Sequence, residues 1–120
     1  MNVDIIEVRD DGQVLIRALG AVLLGMWLGD VPALLGRCFA ELELPEVAWS
    51  AVKVAGCGTM GIVPGVVRGE LVDYDYDGVG TLRCDGVDVL VEIEGEPPLG
   101  IVGKTIEFEV PSVEVYPYDV

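Results

Sequence analysis

Asp77-Gly78-Val79-Gly80-Thr81-Leu82-Arg83-Cys84-Asp85-Gly86-Val87-Asp88-Val89-Leu90-Val91-Glu92-Ile93-Glu94 decides the fold class. Its two Asp-Gly pairs are hairpin signals, because a type I′ turn needs positive φ at both central residues and Asp-Gly tolerates it. Beyond the second pair, Val87, Val89, Val91 and Ile93 alternate with Asp88, Glu92 and Glu94. That is the period-two pattern of a strand with one wet face. Working outward, the spacing predicts a meander of strands over Val66–Tyr76, Val79–Cys84 and Val87–Glu94. The Pro97-Pro98 loop and a last strand over Thr105–Tyr116 follow. In that last strand Ile106, Phe108 and Val110 face one way, but after Pro111 the apolar phase moves to Val113 and Val115. A bulge or corner is expected there, where a missing N–H is tolerated.

The same pattern lies 66 residues upstream. Asp11-Gly12 aligns with Asp77-Gly78, Arg17 with Arg83, Gly20 with Gly86, Leu24 with Leu90, and Pro45 with Pro111. Two copies of one unit are therefore expected, residues 1–54 and 69–120, joined by a glycine-rich connector over residues 55–68. Mapping back predicts strands near Val3–Arg9, Gln13–Leu19, Ala21–Leu28 and Cys38–Leu44, the last continuing past Pro45 to Val54. Asp30 to Gly36 carries an N-cap residue, an early proline and a closing glycine, which predicts one short helical turn. Pro45 to Gly56 also reads as a helix by itself, but its repeat partner contains Pro111 and Pro117, which a continuous helix excludes. The fold class is all-β: two four-stranded units forming a pseudo-twofold small barrel or sandwich. In strand count alone the units resemble small SH3-like or OB-like barrels, so two packed barrels are the alternative.

Each copy is too small for a comfortable core of its own, which favours a shared one. The chain has 120 residues, 21 acids against 7 bases, and no histidine. A net charge of −14, with the bases scattered singly, repels phosphate, so nucleic acid is not an expected partner. The longest charge-free apolar stretch, Ala18–Gly29, is shorter than the roughly 20 residues that span a bilayer. With an acid rather than a basic cluster near Met1, the expectation is a cytoplasmic protein without a membrane role. Cys38, Cys57 and Cys84 lack CxxC spacing and are read as reduced thiols in small apolar roles.

The copies differ most on the third strand. Asp88, Glu92 and Glu94 of the second stand where the first has Val22, Met26 and Leu28. The apolar face needs a cover, either within the chain or at a homodimer or partner interface. The strongest candidate for a partner surface is Asp73-Tyr74-Asp75-Tyr76-Asp77, extended by Tyr116, Tyr118 and Asp119 if the ends lie close. Tyrosines supply rigid contact area and carboxylates pair with Arg and Lys.

Two other motifs point elsewhere. Asp73, Asp75 and Asp77 before Gly78 begin like a calcium loop, but its twelfth position is Cys84 where a bidentate glutamate belongs. Gly56-Cys57-Gly58-Thr59-Met60-Gly61 has dinucleotide-turn spacing, yet Pro64 interrupts the helix that should follow. No cofactor or metal is therefore assigned. Without histidine, and with Ser50 and Ser112 in strands or strand corners, catalysis is not expected. The expected role is a non-catalytic acidic module binding a basic protein, such as an immunity-type inhibitor of a toxin or nuclease. The alternatives are an assembly subunit joined through the apolar first repeat, and a barrel for a small ligand or weakly held calcium.

Overall fold

A computed structural model describes residues 1–55 and 63–118. Eleven strands run through these residues: β1 Asn2–Val8, β2 Gln13–Ala18, β3 Ala21–Trp27, β4 Gly36–Glu43, β5 Val47–Ala48 and β6 Lys53–Val54 come first. Then follow β7 Val66–Tyr74, β8 Val79–Cys84, β9 Val87–Glu94, β10 Thr105–Glu109 and β11 Val113–Pro117. The chain is all-β. One 3-10 turn, Trp49–Ala51, separates β5 from β6.

The hairpin ladders recur at the 66-residue offset. Asp4 faces Arg17 and Ile5 faces Ile16 between β1 and β2, while Glu70 faces Arg83 and Leu71 faces Leu82 between β7 and β8. Both ladders slip at the same place, between Ile5 and Glu7 and between Leu71 and Asp73. The β2–β3 turn uses Leu19 and Gly20 at φ 57° and 66°, and the β8–β9 turn uses Asp85 and Gly86 at 50° and 79°. Both central residues are left-handed, as a type I′ turn requires.

Closure differs between the two sheets. Strands β1, β2, β3, β11 and β4 form a closed barrel in that order. The other six form a curled sheet in the order β5-β9-β8-β7-β10-β6. Its two edge strands are neighbours in sequence, so the 3-10 turn spans from one edge to the other. The chain also exchanges segments between sheets. After β4 it crosses to lay β5 parallel to β9, with Val47 opposite Ile93. After β10 it crosses back to insert β11 between β3, which it parallels, and β4, to which it is antiparallel. Pro45 and Pro111 sit at these crossings, where a residue without an N–H leaves no ladder position unfilled. The single strand expected over Thr105–Tyr116 is thus two strands in different sheets, and the corner after Pro111 is the passage between them.

Inward residues of both sheets merge into one buried cluster, from Val3, Ile16 and Leu23 in the barrel to Leu71, Leu82, Ile93 and Ile106 in the curled sheet. Gly69 is required by close approach: a Cβ there would lie 2.6 Å from the Arg83 carbonyl oxygen. Cys84 is buried in this core, where desolvation, followed by Asp85 and Asp88, pushes its thiol up to about 12. It is an apolar filler, not a nucleophile.

Two local expectations need correction. Asp30–Gly36 forms bends and extended chain, not a helical turn. Val31, Leu34 and Leu35 there are 64%, 75% and 69% exposed, so no buried face offsets the cost of helix nucleation. The Trp27 indole N–H instead donates to the Val31 carbonyl at 2.7 Å. Asp77-Gly78 is not a type I′ pair, because only Gly78 has positive φ. The Asp75 carboxylate accepts the Asp77 N–H at 2.9 Å and the Asp75 carbonyl accepts the Gly78 N–H at 3.1 Å, which sets a longer loop.

Candidate functional site

The residues expected to form one acidic tyrosine surface divide into two places. Tyr74 ends β7 and turns inward, its ring edge-on to Trp49 with centroids 5.3 Å apart. Its hydroxyl donates to the Ile93 carbonyl at 3.1 Å and accepts the Trp49 indole N–H at 3.2 Å. Tyr74 therefore packs against the protein's own core. Tyr76 stands 97% exposed at the loop tip, between exposed Asp75 and Asp77, with exposed Asp73 nearby on β7. Among the described residues no cluster of carboxylates and thiols is arranged to hold a metal ion.

Tyr116 and Tyr118 lie on the other sheet, at the end of β11. Tyr116 donates to Glu43 and to Glu114, and Tyr118 donates to Glu41 at 2.7 Å. The Glu114 hydrogen bond, with desolvation and the carboxylate charges, pushes Tyr116 up to about 12. Tyr118 is raised in the same direction, first by its bond to Glu41. Asp119 and the Gly56–Gly61 motif lie outside the described residues.

Between the two sheets runs a groove of about 960 Å³. One wall is the barrel's outer face, with Met26 and Leu28 at β3, Glu41 and Glu43 on β4, and Glu114 and Tyr116 on β11. The other wall is β9 from Asp88 to Glu92. Met26 is half-buried and Leu28 46% exposed. Val22, half-buried, lies outside the groove lining, and its carbonyl accepts the Gly65 N–H. The apolar third strand of the first half and the acidic third strand of the second thus border one cleft.

Five carboxylates line the groove, from Glu41, Glu43, Asp88, Glu92 and Glu114, and no Lys or Arg is among its described lining residues. Asp88 is answered from β8 by Arg83, at 2.8 and 3.2 Å, and is held below the usual carboxylate range by that bond. Past the groove's end, Glu46 shares a hydrogen bond with Glu94 that, with the neighbouring charge, raises it above that range. A second groove of about 850 Å³ shares Met1, Glu41 and Asp88 with the first and is lined also by Phe39 and Tyr118. Sequence reasoning missed Glu41, Glu43 and Glu114 as site residues. Their strands looked like ordinary strands with a wet face, and only the crossing of β11 brings Glu114 beside β4.

Compared with known proteins, the chain matches no family model, no curated protein and no solved structure. Apolar side chains beside carboxylates, Asp88 among them already paired to Arg83, suit a cation that carries apolar groups beside its charge.

Proposed function

We propose that this protein is a non-catalytic acidic module that captures a basic protein segment in the groove between its sheets, in the manner of an immunity-type inhibitor of a basic toxin or nuclease. The observation that carries the reading is the lining: Met26, Leu28 and Leu90 beside Glu43, Glu92 and Glu114, with no Lys or Arg among the described lining residues. The surrounding charge of −14 steers a basic partner over distances at which the contacts themselves do not act. Short-range fit then comes from apolar stems of Lys and Arg lying on these apolar side chains while their heads meet the carboxylates. Asp75, Tyr76 and Asp77, on an exposed loop, add to steering; Tyr74 does not contact the partner.

The test compares the wild-type protein with the combined Glu43→Gln, Glu92→Gln and Glu114→Gln variant in calorimetric titration with a lysine-rich amphipathic peptide. The expected result is affinity weaker by about tenfold or more, with a flatter dependence on ionic strength. Equal affinity and equal salt dependence overturn the reading. Exposed charges contribute little stability, so the variant should melt close to wild type.

A further inference from the structure

We propose that the basic segment binds as an added β-strand along the free edge of β9, an inference that rests on the capture reading above and specifies its geometry. The Ile93 N–H donates to the Gly78 carbonyl at 2.9 Å, beside the ladder in which Val79 faces Glu92. Because backbone groups alternate sides along a strand, Val87, Val89 and Val91 also bond toward β8. The N–H and C=O groups of Asp88, Leu90 and Glu92 therefore face the other way. On that side, among the described residues, β9 is paired only by β5, at Ile93 and Glu94. The corresponding edge of β3 is filled: β11 covers Gly25 to Trp27, and the Val22 carbonyl accepts the Gly65 N–H. Among the described residues the edge of β9 from Asp88 to Leu90 has no such cover, and it opens into the groove.

An unpaired edge is a template for another strand, and proteins guard such edges with charge. The guard on β9 itself is of one sign, although Asp88 is already paired with Arg83 of β8. Asp88 and Glu92 project from the edge strand, and Leu90 between them is 65% exposed. A second copy of this chain laid along β9 would set carboxylate against carboxylate. A strand that alternates Lys or Arg with apolar residues would set cations opposite them, and cross-strand pairs of opposite charge are favourable. Because side chains alternate, one of its cations would also stand opposite Leu90, and its apolar side chains would fall on the other face, the face of Val89 and Val91. Strand addition supplies affinity through the main chain and selectivity through alternate side chains. The groove thus selects an extended, basic, alternating segment.

The test uses the whole protein and three probes of equal charge: an alternating Lys-Val peptide, its fully N-methylated counterpart, and a helix-forming Lys-Leu peptide. The expected result is that the alternating peptide binds, that N-methylation weakens binding by about tenfold or more, and that amide exchange at Leu90 and Glu92 slows on binding. Leu90→Pro removes an edge donor that makes no bond to β8, so it should weaken the alternating peptide while the β8–β9 amides stay protected. If the methylated and helical peptides bind as tightly and exchange at Leu90 is unchanged, strand addition is wrong and capture by charge stands. If none of the three binds, the capture reading fails and this inference fails with it. Light scattering that finds the free protein dimeric, with the dimer abolished by Leu90→Pro, also overturns it.

Discussion

Tyr74 and Tyr76 are two residues apart, yet the ring of one is locked against Trp49 while the other stands in water. Tyr74→Phe removes the hydrogen bond to the Ile93 carbonyl and the acceptor for the Trp49 indole. It should cost about 1–2 kcal/mol in denaturant unfolding and leave peptide affinity unchanged. Tyr76→Ala should leave stability unchanged. Tyr116 offers a second residue-scale measurement through its titration. A phenol loses its proton to become charged, and the hydrogen bond to Glu114 favours the protonated form in the folded chain. Its contribution to stability is therefore fully present below the ordinary tyrosine value of about 10, and is lost as pH rises through about 12. Ultraviolet difference absorbance between wild type and Tyr116→Phe should place the tyrosinate midpoint near that upper value, and Glu114→Gln should bring it down. A midpoint insensitive to Glu114 would show that the pair does not form in solution.

Among the elements, the hairpins were legible because alternation and turn chemistry agree locally, as Val87 to Glu94 and Asp85-Gly86 do. The crossings were not. Pro111 and the phase change after it announce a corner, but the destination of Val113–Pro117 depends on contacts with β3 and β4, residues far away in sequence. For the same reason the acidic face of β9 could be read and its opposing wall could not, since Glu43 and Glu114 become neighbours only after the exchange. The inward turn of Tyr74 was hidden too, because an Asp-Tyr alternation reads alike whether the ring meets solvent or Trp49. Gly69 on β7 is a case where the ladder itself dictates the residue. Gly69→Ala forces a methyl group against the Arg83 carbonyl oxygen, backbone that cannot rotate away. The expected cost is about 1–3 kcal/mol, read as a lowered midpoint in thermal unfolding. An unchanged midpoint would mean that β7 and β8 can part without penalty.

At the scale of the whole molecule, neither half holds a complete sheet. Residues 1–55 lack β11, one stave of the barrel they otherwise form, and residues 63–118 lack β5 and β6. Each fragment made alone should therefore show little strand signal in circular dichroism and no cooperative melt. An equimolar mixture should recover both, because the pairings that complete each sheet are between halves. Fragments that melt cooperatively by themselves would mean that each sheet is self-sufficient. The insertion of β11 also has a consequence in time. On the ribosome a chain emerges N-terminal segments first, and segments normally settle in the order in which they appear. Here β1 to β4 of the barrel are made before β5 to β10 of the other sheet, and the barrel is closed only by β11, which follows them all. Throughout synthesis β3 and β4 wait with bare flanks, and the nascent protein depends on whatever shields those flanks until Val113–Pro117 arrives.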